Sequence, residues 1–382
     1  MLIKALSITN FKNIGRADFV FSDKLNCLLG DNGMGKSNLL DAIHYLSFCR
    51  SFTGASDNLI ITRGQQFTLM QAQYRRRDAD EEILVSLGGG RRKTVKRGGK
   101  EYQRLSAHIG QFPAVLISPA DNDLITGGGE ERRRFMDMII SQGDTRYLDA
   151  LIRYNKLLAQ RNSLLRDGVS DATLFQSIEM AMADAARYIT RARVKMTDEL
   201  SELHAKYYVA ITGERDEPVN LQYTSSLTGE EAMDMADLFE RNRTRDQFLK
   251  YTSDGPHRDD LALTLAGMPL RRTASQGQQK TFTIALRLAQ YEFLSKATGL
   301  KPLLLLDDIF DKLDANRVEA IISVVADNRF GQIFITDTNR KHLDEILGHI
   351  PANHSLWTVR DGVFTPTLIP GEEPTPSSAD PS

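Results

Sequence analysis

The sequence predicts an α/β protein whose two ends are rich in strands and whose middle is an inserted run of helices. Three observations predict it. Short alternating or apolar runs fill the chain up to about residue 116, the apolar period becomes helical from about 132 to 212, and sheet-like patterning returns near 255–269 before helices alternate with apolar strands.

The first stretch contains LIKALSIT, LNCLLG, TLMQAQY and EILVSLG, punctuated by Gly and Asp as strands are. One helix interrupts it, beginning at the glycine-rich turn before Lys36 and carrying Leu39, Leu40, Ile43 and Leu46 at helical spacing. In the middle, Leu174, Ile178, Met182, Ala185, Ile189, Ala192, Met196, Leu200, Leu203 and Tyr207 recur in steps of 3 and 4, which predicts one long helix with Asp171 as its cap. A shorter helix carrying Leu148 to Leu165 ends at Asp167-Gly168. The two should fold back as an αα-hairpin arm, because each apolar stripe needs a partner. Near the end, a helix is expected from about Gln278 to Lys296, then the apolar strand Leu303–Leu306, another helix, and the strand Ile333–Ile335. The segment from Pro366 is rich in Pro and Ser and is expected to be a disordered tail, 366–382.

Composition excludes several classes. The 382 residues are 41% hydrophobic and 26% charged, as in a globular chain. No run of about 18 apolar residues could span a bilayer, and the N-terminus alternates like a strand rather than a signal peptide, so no membrane partner and a cytoplasmic location are expected. Cys27 and Cys49 lack metal or disulfide spacing and read as inert thiols. A net charge of −2 argues against a protein that simply coats nucleic acid. Any DNA contact must be local, and the basic residues do cluster: Arg75, Arg76 and Arg77, then Arg91, Arg92 and Lys93 followed by Lys96, Arg97 and Lys100, with Arg132, Arg133 and Arg134 later. Each cluster also fits a solvated face.

The chemistry lies in three segments. Gly30-Asp31-Asn32-Gly33-Met34-Gly35-Lys36-Ser37 follows the strand LNCLL, precedes a helix and fits G-x-x-x-x-G-K-[ST]. Its backbone N–H groups can wrap phosphates, the helix dipole favours their charge, Lys36 reaches the β and γ oxygens of ATP, and Ser37 ligates Mg²⁺. The stretch expected to contact nucleotide extends to Asn38. Second, Asp307 and Asp308 end the strand Leu303–Leu306; Asp307 is the metal-side acid, and Asp308, expected to point the other way along the pleat, is the general base. Lys36 and Asp308 are thus the catalytic candidates. Third, Ser275-Gln276-Gly277-Gln278 opens another helix and offers a second anion seat. One chain does not need two. A nucleotide bound at the first loop and capped by the second loop of another copy resolves the excess.

These features resemble the ABC-ATPase superfamily, with Ser275 to Lys280 in the place of its signature and Asp311-Lys312-Leu313-Asp314 in the place of its D-loop. Within it, Ile8-Thr9-Asn10-Phe11-Lys12-Asn13, the segment PADNDLITGGGEERRRFMD from Pro119 to Asp137, Gly255-Pro256-His257-Arg258-Asp259-Asp260 and LLLDDIFDKLD resemble the RecF family. The resemblance implies an ABC-type P-loop ATPase head with a mixed sheet, 1–120 and 262–365, and an inserted helical arm domain, 121–261. It implies ATP and Mg²⁺, an ATP-dependent homodimer, weak DNA-stimulated ATPase activity, and binding at single-stranded/double-stranded DNA junctions in gaps, where RecO and RecR help load RecA. Lys12 and Asn13 are expected near the nucleotide, as in relatives. Ala120, Asp311 and Thr336-Asp337-Thr338 depart from the family pattern, no clear Q-loop glutamine is present, and Asp121 and Thr336 stand in as γ-phosphate sensors. The basic hairpins Arg75–Arg77 and Arg91–Lys100 would join across a dimer as one groove for duplex. Two other functions share the motifs: an ATPase cassette coupled to another machine, such as a transporter, and a scaffold switched by nucleotide binding without hydrolysis.

Overall fold

The computed structural model describes the whole chain except residues 89, 214–217, 227–233, 312, 341–342, 345–347, 349–353 and 368–382. Among the described residues no helix is long and apolar enough to cross a membrane.

The N-terminal strands form an antiparallel sheet from β1 (Leu2–Phe11), β2 (Ile14–Val20), β4 (Phe67–Arg76), β5 (Ala79–Gly88), β6 (Arg91–Arg97) and β7 (Lys100–Glu101), in the order β2-β1-β4-β5-β6-β7. The strand between them in sequence, β3 (Leu25–Leu29), leaves for a second, mixed sheet. There it joins β8 (Ala114–Ile117), β12 (Leu303–Asp307), β13 (Ile333–Asp337), β14 (His354–Arg360) and β15 (Val363–Thr367) in the order β15-β14-β3-β13-β12-β8. All its neighbours are parallel except β14 and β15.

The central strands are apolar on both faces because each face is covered. Leu303 and Leu305 look into a core shared with the first sheet and helix α1 (Lys36–Phe48), while Leu304 and Leu306 look into a second core. That core contains α8 (Gln276–Thr298), α9 (Ala315–Ala326) and the helices of the insertion: α2 (Asp123–Thr126), α3 (Gly129–Gly143), α4 (Thr145–Arg166), α5 (Ala172–Thr212) and α6 (Met235–Leu249). A three-stranded sheet, β9 (Val219–Thr224), β10 (Asp260–Leu265) and β11 (Met268–Pro269), and the short α7 (Leu270–Thr273) complete it.

The long helix and its fold-back are present as the apolar spacing indicates, with Asp171 accepting from the Thr173 and Leu174 N–H groups. Three details differ from the sequence expectation. The 261/262 boundary cuts β10, which pairs with β9 of the insertion. The arm also shares one continuous core with the underside of the mixed sheet, since its stripe found α8 as well as α4. Pro366 and Thr367 belong to β15, paired with Trp357 and Leu356; the rest of the expected tail lies outside the described residues.

Candidate functional site: a phosphate cradle at the ends of parallel strands

The loop after β3 sits at the carboxyl ends of the parallel strands, where α/β sheets place ligands. Gly35 caps α1 with a φ of 109°, and a Cβ there would lie 2.7 Å from the Asn13 side chain, so the position needs glycine. The Lys36 ammonium folds back over the loop and donates to the carbonyls of Gly30 at 2.6 Å and Asp31 at 2.9 Å. Burial lowers its pKa, while Asp308, Asp307, Asp337 and Asp31 pull the other way. Ser37 Oγ donates to Asp307 Oδ1 at 2.7 Å, and Thr336 Oγ1 donates to the same oxygen at 2.8 Å. Burial raises the Asp307 carboxyl, and these two hydroxyls counter it.

Asp308 is outside the pleat that sequence assigned to it. Its φ is 48°, so the strand ends at Asp307, and the Asp308 N–H is held by Thr336, at 3.1 Å from Oγ1. Thr336 therefore fixes both acids at once. Lys36, Ser37, Asp307, Asp308, Thr336 and Pro119 line a cavity of about 200 Å³ together with Asn32, Gly33, Gly35 and Asn38. The Ser37 hydroxyl and the Asp307 carboxylate, two hard oxygens 2.7 Å apart, fit a small divalent cation.

Both chain ends clasp this loop. Asn13, in the β1–β2 turn, accepts from Asn38 Nδ2 at 2.8 Å and donates to the Met34 carbonyl at 3.3 Å. From the β14–β15 turn, the Gly362 N–H donates to the same carbonyl at 2.8 Å. Lys12 is spent differently from the sequence expectation: its ammonium lies 2.6 Å from the fully buried Asp41, between the rings of Phe11 and Phe52. The C-terminal hairpin was not read from the sequence, although Asp361-Gly362 between two alternating runs is a hairpin signal.

Ser275 is the N-cap of α8 and forms a capping box with Gln278. Ser275 and Gln276 are exposed, and none of Ser275 to Gln278 lines the phosphate cavity. Asp121 faces away from the cavity: one carboxylate oxygen accepts from the Ser118 N–H at 3.0 Å and the other from Arg287 at 2.6 Å, both buried. Its neighbour Pro119 lines the cavity instead.

The basic clusters are less available than the sequence suggested. Arg75 pairs with Asp80, Arg76 and Arg97 with Glu81, and Lys93 with Asp57. Arg77 reaches the Thr298 carbonyl, whereas Arg92 is exposed. Moreover, Arg75 to Arg77 and Arg91 to Lys93 sit at opposite ends of β5, a strand of 10 residues, or about 30 Å. Lys96, Arg97 and Lys100 lie level with Ile83 and Leu84, midway along β5.

A phosphate loop, paired strand-end acids and a signature-like helix start on this fold define an ABC-type ATPase head. Residues 2–350 match the family model described as RecF/RecN/SMC N terminal domain. The chain is 50% identical over 366 residues to the DNA replication and repair protein RecF of Parabacteroides distasonis, covering 96% of this chain and 99% of that one. It is 46% identical over 363 residues to that of Porphyromonas gingivalis strain W83, covering 95% and 99%. Among solved structures, the recombination mediator protein RecF with ATP, described as part of the RecFOR pathway, superposes with a TM-score of 0.86 at 28% identity over 96% of this chain and 97% of that one. An Smc head bound to the C-terminal winged-helix domain of ScpA shares the fold, with a TM-score of 0.57 at 15% identity over 96% and 98%. The chain belongs to the RecF family.

Proposed function

We propose that this chain is an ATP-dependent DNA repair protein in which nucleotide joins two heads into a clamp at gapped DNA. The observation that carries the reading is the separation of two half-sites. Lys36, Ser37, Asp307 and Asp308 form one cavity, while the exposed Ser275 cap opens α8 elsewhere on the same chain. The ATP-bound relative supports ATP as the ligand.

In this reading Lys36 binds the β and γ phosphates, and Ser37 and Asp307 hold Mg²⁺, which when bound neutralises phosphate charge. Asp308 accepts the proton of the attacking water at its carboxylate, and Thr336 keeps both acids in place. Ser275 to Gln278 of a second copy close over the phosphates. Hydrolysis is weak, is stimulated by DNA, and times release. The head and arm divide at the expected bounds except that β10 belongs with the arm's sheet and β15 with the head, and the heads meet single-stranded/double-stranded junctions in the cytoplasm, where RecO and RecR help load RecA.

The test is molar mass in solution with no nucleotide, with ADP, and with ATP plus Mg²⁺, for the natural protein, Lys36→Met and Ser275→Arg. A dimer seen only with ATP and lost in both variants is the expected result. A mass indifferent to ATP overturns the clamp.

A further inference from the structure

Two segments take no part in the nucleotide site: Arg132-Arg133-Arg134 on α3 and Gly255 to Asp260 before β10. The fold brings them together with α4 and α5 around a cleft of about 310 Å³, lined by Arg133, Arg134, Tyr154, Asn155, Arg193 and His257, among others.

Glu130 and Asp137 also line it, and the carboxylates around it are engaged. Asp137 accepts from Arg193 at 2.8 Å and from the Tyr147 hydroxyl at 2.5 Å. Asp260 takes both prongs of Arg132, at 2.7 and 2.8 Å, and Glu130 and Glu131 take Arg134 at 2.6 and 3.0 Å. Asp259 accepts the Tyr223 hydroxyl. Of the three consecutive arginines, Arg133 alone has no carboxylate contact among the described residues; its hydrogen bond runs to the Asp259 carbonyl at 2.8 Å.

The Arg133 guanidinium is half-buried, and a Cβ on Gly129 would lie 2.8 Å from its Nη1. Burial and the buried Arg193 beside it disfavour its charge, while Asp260, Glu130 and Asp137 favour it. A guanidinium does not shed its proton near neutral pH, and beyond the bond to the Asp259 carbonyl the Arg133 fork keeps donors for an anion in the cleft. His257 adds no charge: its Nε2–H donates to the Thr252 carbonyl at 3.0 Å, which leaves Nδ1 to accept the Tyr154 hydroxyl at 2.8 Å. The exposed Asn155 carboxamide adds a donor on the facing helix. Arg133 and Arg134 leave α3 at successive positions about 100° apart, so they border the cleft from two directions.

We propose that this cleft binds a phosphate group, held by Arg133, Arg134 and Asn155 and distinct from the nucleotide cavity. The site is independent of the clamp reading. It is tested by titrating inorganic phosphate into Lys36→Met, which disables the nucleotide cradle, and reading heat and melting temperature. One phosphate site is expected to remain, to weaken at least tenfold in Lys36→Met with Arg133→Gln, and to weaken severalfold with Asn155→Leu. No phosphate site in Lys36→Met, or affinity unchanged by both added substitutions, overturns the proposal. If Arg133→Gln does not fold, the exposed Asn155→Leu decides alone. Gapped DNA with a 5′-phosphate or a 5′-hydroxyl then identifies the source: tighter binding of the phosphorylated strand, lost with Arg133→Gln, assigns a DNA end, and equal binding assigns free phosphate.

Discussion

At the scale of single residues, Thr336 holds both Asp307, proposed to hold the metal, and Asp308, proposed as the general base. Thr336→Val keeps the volume but removes the hydroxyl that donates to Asp307 and accepts from the Asp308 N–H. Losing one buried hydrogen bond costs about 1–3 kcal/mol, so ATP turnover is expected to fall about tenfold to a hundredfold while nucleotide affinity, measured by fluorescence titration, changes much less. Asp308→Asn removes only the proton acceptor; it is expected to keep the ATP dimer and stop its decay, and rapid dissociation after ATP addition would refute that role. The loop after β3 was legible because its pattern is local: eight consecutive residues spell the turn, the lysine and the hydroxyl that the structure gathers at one cavity. Asp121 was not, because its partner Arg287 lies 166 positions away. A capping box and a phosphate sensor both need an acid after a strand, and only the fold tells them apart.

Among elements, the arm is tied by one buried cation. Arg161 on α4 is fully buried and bonds Glu179 on α5 at 2.9 Å, Asp246 on α6 at 2.7 Å and Thr252 at 2.9 Å. Arg161→Leu leaves the buried Asp246 without its cation and Glu179 with Arg243 alone, and is expected to cost about 3–5 kcal/mol, read as a lower urea midpoint. At the other end of the molecule, Gly362 has a φ of 76°, and a Cβ there would meet the Asn13 carbonyl oxygen at 2.2 Å. Gly362→Ala is expected to push the C-terminal hairpin off Met34 and weaken ATP binding about tenfold, by roughly 1.4 kcal/mol, while the helical arm keeps its melting temperature. Helices and central strands were legible since their apolar periods are written along the chain. Long-range pairings were not: nothing in LNCLL says that β13 and β14 flank it, and nothing in the basic runs says that Asp80 and Glu81 across a hairpin already neutralise them.

For the whole molecule, acidity is a global stress. His44, His204 and His257 lie in different parts of the fold, and burial pushes each below the usual 6.5, to about 4, about 3 and about 4. Between about pH 6.5 and 4 the unfolded chain binds more protons than the native one, so stability rises with pH there and drains as pH falls. Each histidine adds a slope of up to about 1.4 kcal/mol per pH unit. Urea midpoints at pH 7 and pH 5 check this, and His204→Gln should flatten the difference. The topology also has a consequence for biosynthesis. The strand that feeds the phosphate loop is the third made, yet both of its sheet partners begin only at Ile333 and His354. During translation, β3 and its loop emerge some 300 residues before the strands that will flank them. A ribosome-bound chain stopped before the last hairpin would therefore present an apolar strand open along one edge and no finished nucleotide seat. ATP binding is thus expected to require the last hairpin, whose turn holds the phosphate loop.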